Sequence, residues 1–167
     1  MLSMLSEQSY YLSLEVEGNN VSRRDYALIP NCGGVCVLPR PFETHMRKGR
    51  EDFYIQYLVQ GDMRVWLDKE QHMRPGQAVL YYPRTAYRYA QQGEGPVRYY
   101  WLHFTGHAAE ELVASCCLPN ARLLTVGHSA SLLAQFQGLF HDFLLRDCCF
   151  IPSAASRLMA ICVELSG

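Results

Sequence analysis

The sequence predicts a mainly antiparallel β domain, a sandwich or barrel, followed by two to three helices. Three observations carry that prediction. From Tyr10 to about Thr105 apolar residues come in short alternating runs, turn-forming residues interrupt them at close intervals, and after Gly106 the apolar spacing changes from two to three and four. The chain has 167 residues, 49% hydrophobic and 12% aromatic, enough to fill the core of one domain.

The first strand is expected over Tyr10–Val16, where Leu12, Leu14 and Val16 alternate with polar residues, and it ends at Glu17-Gly18-Asn19-Asn20. Asn31-Cys32-Gly33-Gly34 reads as a further break and Val35–Pro39 as the strand after it. Asp52–Gln60 and Met63–Asp68 read as a hairpin, because Gly61-Asp62 accepts the positive φ of a two-residue turn. Arg74-Pro75-Gly76-Gln77 is a tight turn, with Pro presetting φ at its first central position and Gly taking the second. It launches Ala78–Tyr82, which Pro83 ends by removing a ladder donor. Ala86–Ala90 and Val97–Thr105 follow and, joined by the short Gly-rich stretch 91–96, are expected to pair with facing side chains.

Beyond Gly106, Ala108–Cys116 suits a short helix. Ser129–Arg146 suits a long one, with Leu132, Leu133, Phe136, Leu139, Phe140 and Phe143 on a broad apolar stripe. The stripe serves either core packing or a partner helix, and Leu132, Leu133, Phe136, Leu139, Phe140 and Phe143 are the candidate dimerisation residues. Pro152 fits the first turn of a last helix, striped by Leu158, Ile161, Cys162 and Leu165.

Fifteen Lys and Arg against sixteen Asp and Glu give a net charge of -1 with no dense basic stripe, so nucleic-acid binding by this chain alone is not expected. No segment approaches the ~18 apolar residues of a membrane span, and the N-terminus has no basic start leading into an apolar stretch. A soluble, cytoplasmic protein without membrane contact is expected. Seven cysteines, including the adjacent pairs Cys116-Cys117 and Cys148-Cys149, fit reduced thiols better than disulfides. Cys32-x-x-x-Cys36 has no second Cys/His pair at metal-binding spacing.

Alternation on Arg98–Phe104 sends Tyr99, Trp101 and His103 to one face, and Tyr87 and Tyr89 share a face of the preceding strand. Aromatic rings with polar tips suit a sugar, stacking on its C–H groups while the tips bond its hydroxyls. Large aromatics also fill the interiors of small barrels without any ligand.

Asp52–Gly61, the turn Arg74-Pro75-Gly76-Gln77 leading into Val79-Leu80-Tyr81-Tyr82-Pro83, and Arg98-Tyr99-Tyr100-Trp101-Leu102-His103-Phe104-Thr105-Gly106 resemble, in order and spacing, the N-terminal effector-binding and dimerisation domain of AraC-type transcription regulators. The resemblance covers about residues 30 to 165. It implies a cupin-like, jelly-roll type antiparallel β-barrel over residues 1–106 with an N-terminal arm, and a helical dimerisation segment over 107–167 packed on it in one structural domain. It further implies a small-molecule effector, often a carbohydrate, a homodimer, and DNA binding through a separate pair of helix-turn-helix motifs. No such motif is present in these 167 residues, so a piece of a longer regulator is expected rather than a free-standing sensor.

In the sugar-responsive regulator for which that family is named, the pocket uses an Arg from an Arg-Pro step, a Tyr on the strand after the Pro-ended strand, and a Trp on the next strand. The matching positions here are Arg40, Tyr89 and Trp101, and Tyr99 stands where that relative has a His. With Tyr87 and His103, which alternation sets on the same faces, the candidate ligand-binding set is Arg40, Tyr87, Tyr89, Tyr99, Trp101 and His103. Metal-dependent cupin enzymes need two His separated by one residue, and the six His here include no His-x-His. Neither metal, cofactor nor catalysis is expected. The alternatives are a metal-free cupin enzyme such as a sugar epimerase or isomerase, for which His103 is the one candidate base but no carboxylate is evident beside it, and a ligand-free dimerisation module.

Overall fold

Residues 8–38 and 42–167 are described by the computed structural model of the protein. The strands are β1 (Gln8–Tyr11), β2 (Ile29–Leu38), β3 (Glu43–Met46), β4 (Phe53–Gln60), β5 (Asp62–Trp66), β6 (Glu70–Met73), β7 (Gln77–Tyr81), β8 (Tyr87–Gln92) and β9 (Val97–Thr105). Then come α1 (Ala109–Ser115), a short strand β10 (Leu123–Thr125), α2 (Ala130–Leu145) and α3 (Phe150–Leu165). All strand pairs are antiparallel. They form a large sheet in the order β1-β2-β9-β4-β7-β10 and a small one in the order β3-β8-β5-β6. This is the mainly β, C-terminally α architecture that the alternation predicts.

The alternation also decides the layers. On β4, Phe53, Ile55 and Tyr57 join the core that includes the helices, whereas Tyr54 and Leu58 join a second core shared with Met63, Val65, Tyr87 and Tyr89 of the small sheet. The large sheet is thus buried on both faces, by the small sheet on one and the helices on the other.

Several expected elements differ. The Gly61 turn does not close a hairpin: β4 pairs with β7 and β9, and β5 pairs with β6 and β8. The chain instead crosses between sheets there. Gly61 has φ 81, and a Cβ on it would lie 2.4 Å from Pro96 O, so the crossing needs both the left-handed backbone and the missing side chain. Likewise β8 and β9 are not neighbours in one sheet but face each other from opposite sheets, because residues 93–96 make the return crossing.

Asn31-Cys32-Gly33-Gly34 is not a break but part of β2. The buried Asn31 amide accepts from Arg23 Nε at 2.8 Å and donates to Asp52 Oδ2 at 2.8 Å, and at Gly34 a Cβ would lie 2.0 Å from Gln8 O, so glycine admits β1 alongside. The expected strand Tyr10–Val16 stops at Tyr11. Asn19 folds the segment back, its Nδ2 donating to Ser13 O at 2.9 Å and Glu15 O at 3.1 Å, and Leu14 and Val16 are left exposed. Pro39 lies outside the described residues.

The turn at Arg74-Pro75-Gly76-Gln77 forms as read, with Gln77 N donating to Arg74 O at 3.0 Å. Helix α2 starts where Ser129 Oγ accepts from Leu132 N at 3.0 Å. Its stripe lies inside the chain: Leu132, Phe136, Leu139, Phe140 and Phe143 are buried, and Leu133 is partly so. Phe140 stacks on Tyr100 of β9 at 6.2 Å and on Tyr10 of β1 at 5.0 Å. The stripe is therefore the chain's own core layer. The large apolar side chains left exposed on the helices are Leu144, Leu145, Ile151, Met159 and Val163.

Candidate functional site

Between the sheets, β9 presents Tyr99, Trp101 and His103 to the small sheet, and β8 presents Tyr87 and Tyr89 across from them. A cavity of about 190 Å³ opens among these five side chains, with Tyr54, Cys36 and Tyr11 completing its wall. Tyr89 meets Tyr99 edge-on at 6.0 Å, Tyr54 stacks on His103 at 4.4 Å, and Tyr11 of the N-terminal strand approaches Trp101 at 6.5 Å. The hydroxyls of Tyr54 and Tyr89 meet in a long 3.4 Å contact. Burial, with Tyr89 nearby, pushes the hydroxyls of Tyr54 and Tyr99 well up, and burial raises Tyr87 to about 12. At neutral pH these groups are uncharged and both donate and accept.

Behind His103 lies a buried charge pair. Arg50 Nε reaches Asp52 Oδ1 at 2.8 Å and Nη2 reaches Oδ2 at 3.0 Å, while Nη2 also donates to Asn19 O at 2.5 Å. Asn31 Nδ2 meets Asp52 Oδ2 as well. His103 Nδ1 lies 3.5 Å from Asp52 Oδ1 without forming a hydrogen bond. Burial raises the Asp52 pKa, but contact with His103 and the Arg50 fork outweighs it and leaves the carboxyl below its ordinary value. For His103 burial dominates over Asp52 and lowers the pKa, so the ring is neutral.

Of the residues singled out in the sequence, Tyr87, Tyr89, Tyr99, Trp101 and His103 meet at one cavity, and Arg40 lies outside the described residues. Sequence reading missed Tyr11, Cys36 and Tyr54 in the wall and the Arg50–Asp52 pair behind it. The signal for Tyr54 was present, since alternation on β4 sets it facing inward with Leu58. For Asp52 it was not: His103 and Asp52 meet because β4 runs against β9 with Tyr54 opposite His103.

A larger hollow of about 540 Å³ lies outside the sandwich near Tyr57, Arg98 and the start of α2. Its Tyr57 hydroxyl is already engaged, donating to Gly127 O at 2.6 Å and accepting from Ser129 N at 3.3 Å. The inter-sheet cavity, where aromatic faces and the polar tips of Tyr87, Tyr89, Tyr99, Trp101 and His103 converge, is the stronger candidate. Among the described residues no group of three His, Cys, Asp or Glu side chains converges as a metal site, and no two cysteines are joined by a disulfide. No helix among them is long and apolar enough to cross a membrane.

The family described as AraC-like ligand binding domain matches residues 34–157. A search of curated proteins gives no match. Similar solved structures include the Cupin_2 domain of an XRE family transcriptional regulator from Enterobacter cloacae, with 12% identity and a TM-score of 0.41 over 58% of this chain and 94% of that one. The cupin domain of Cnp3 from Schizosaccharomyces pombe has 19% identity and a TM-score of 0.43 over 71% and 75% of the two chains. A Cupin 2 conserved barrel domain protein from Salinispora arenicola has 14% identity and a TM-score of 0.43 over 66% and 83%.

Proposed function

The chain belongs to the AraC-like ligand binding domain family, and from that premise we propose that it is the effector-sensing and dimerisation domain of a cytoplasmic AraC-type transcription regulator, with a carbohydrate as effector. The observation that carries the sugar reading is the inter-sheet cavity, in which aromatic faces and uncharged hydroxyls stand together. A pyranose or furanose ring stacks against Trp101, and Tyr87, Tyr89, Tyr99 and His103 bond its hydroxyls. Arg40 is the further contact that the family resemblance suggests. DNA binding belongs to a separate domain of the full-length regulator.

Ligand must favour one arrangement of the chain over another for a signal to pass. A physical route is available. Tyr11 touches the cavity, and its carbonyl and that of Leu12 accept from Arg146 at the end of α2. Occupancy that shifts Tyr11 is thereby felt at the helices through which two copies associate.

One observation favours a second reading, a metal-free sugar epimerase or isomerase: Asp52 stands 3.5 Å from His103, where a base needs its carboxylate. Against it, both Asp52 oxygens are held by Arg50, which neutralises the charge that would polarise the ring. Binding is therefore preferred to turnover.

The test is a thermal-shift panel of neutral monosaccharides, disaccharides and sugar acids on the wild-type chain and on Trp101→Ala. A saturating ligand at ~100 times its dissociation constant adds about 2.7 kcal/mol of stability, and the shift is expected to vanish in the variant. A wild type that no sugar stabilises overturns the sugar reading, and a sugar chemically converted on incubation replaces it with the enzyme.

A further inference from the structure

The inner face of the large sheet carries an amide at its centre. Gln56 is fully buried, and neither its Oε1 nor its Nε2 has a hydrogen-bond partner in the structure. The strand registers fix its surroundings. Trp101 on β9 and Val79 on β7 stand directly opposite it; Tyr54 and His103 occupy the neighbouring row on one side, and Leu58 and Tyr99 the row on the other. Trp101, His103, Tyr54 and Tyr99 all line the inter-sheet cavity, so Gln56 shares their face and lies next to the cavity, behind its lining side chains. The hydroxyl of Tyr81, whose ring stacks on Tyr54 at 5.7 Å, also lacks a hydrogen bond in the same interior, and His103 Nδ1 has only the 3.5 Å approach to Asp52.

Buried carboxamides are rarely left unpaired, because the lost hydration of two donors and an acceptor is not returned. One set directly behind the aromatic wall of a cavity is placed to meet a ligand that presses into that wall. Its chemistry narrows what the ligand is. A carboxamide sets an N–H donor beside a C=O acceptor, which complements two adjacent hydroxyls, one accepting and the other donating. No described side chain in the cavity wall offers a formal counter-charge, and the Asp52 charge behind His103 is engaged by Arg50. A charged group placed there would be desolvated without a partner.

We propose that Gln56 is the specificity-determining residue of this site, its carboxamide reading a vicinal pair of hydroxyls on an uncharged ligand seated against Trp101. The proposal rests on the inter-sheet cavity being the effector site. The test uses Gln56→Leu and Gln56→Met, which keep the side chain's bulk and remove its polar atoms, in the full chain alongside Trp101→Ala.

Without ligand, both Gln56 variants are expected to unfold at or above the wild-type temperature, by up to about 3 °C, because an unpaired amide has been removed. A fall of several degrees in both means that the amide is already bonded in the free protein, for example to a buried water, and overturns the proposal whatever binds. With neutral pentoses, hexoses and polyols as probes, any compound that stabilises the wild type is expected to lose about tenfold or more in calorimetric affinity in both variants. Affinity kept within about twofold in the Gln56 variants but lost in Trp101→Ala overturns the role of Gln56 and leaves the effector site standing. A wild type silent to every probe overturns the vicinal-diol assignment together with the sugar reading.

Discussion

Asp52 keeps its charge with no exposed side-chain surface because the Arg50 fork meets both of its oxygens and Asn31 donates to one of them. Its neighbour His103 does the opposite and stays neutral. Both pKa values are depressed in the folded chain, so both contributions to stability run in the same direction with pH. Between its lowered folded pKa and the ordinary 6.5, unfolded His103 takes up a proton that the folded ring refuses, so stability present above about pH 6.5 declines as pH falls. Asp52 repeats this lower down: its contribution is whole above its ordinary 3.8 and is lost as pH drops through the folded value. The melting temperature is thus expected to fall as pH goes from 7 to 5, and His103→Gln to flatten that part of the curve while leaving the steeper loss below about pH 4. An unchanged slope in the variant would show that His103 is not the group responsible. Alternation alone set Tyr99, Trp101 and His103 on one face, but pairing His103 with Asp52 needed the β4–β9 register, which no local pattern encodes.

The crossing at Gly61 separates what a turn residue announces from what the turn connects. Positive φ was legible in the sequence; whether the next strand returns beside β4 or leaves for the other sheet was not, since both continuations accept glycine there. What decides it is that β4 already has β7 and β9 on its two edges, leaving β5 no free edge to join. Gly61→Ala meets both the left-handed backbone and Pro96 O, and is expected to destabilise the domain by about 1–3 kcal/mol in chemical denaturation. Alanine tolerated within about 0.5 kcal/mol would mean that the two crossings do not abut as described. The strands β3, β6 and β10 escaped notice for a related reason. Each has three or four residues and little apolar alternation, and each forms at the edge of a sheet that other strands complete.

The helices complete the molecule by covering the outer face of the large sheet, and the α2 stripe is consumed in doing so. If two copies associate through this segment, as proposed, the contact falls on side chains that remain outside, with Met159 and Val163, 52% and 61% exposed and one turn apart on α3, as its centre. Light scattering at micromolar protein is then expected to give twice the chain mass for the wild type and the single mass for Met159→Glu combined with Val163→Glu. A monomeric wild type overturns dimerisation through this face. Read alone, the sequence determined the class of the fold, the helix boundaries and which aromatic residues share a face, because periodicity and caps are properties of neighbouring residues. Only the tertiary structure decided which sheet each strand joins, that the α2 stripe turns inward, and that Gln56, Asp52 and Trp101 share one interior. Those outcomes depend on pairings between residues some fifty positions apart, and a strand's own pattern is compatible with several partners.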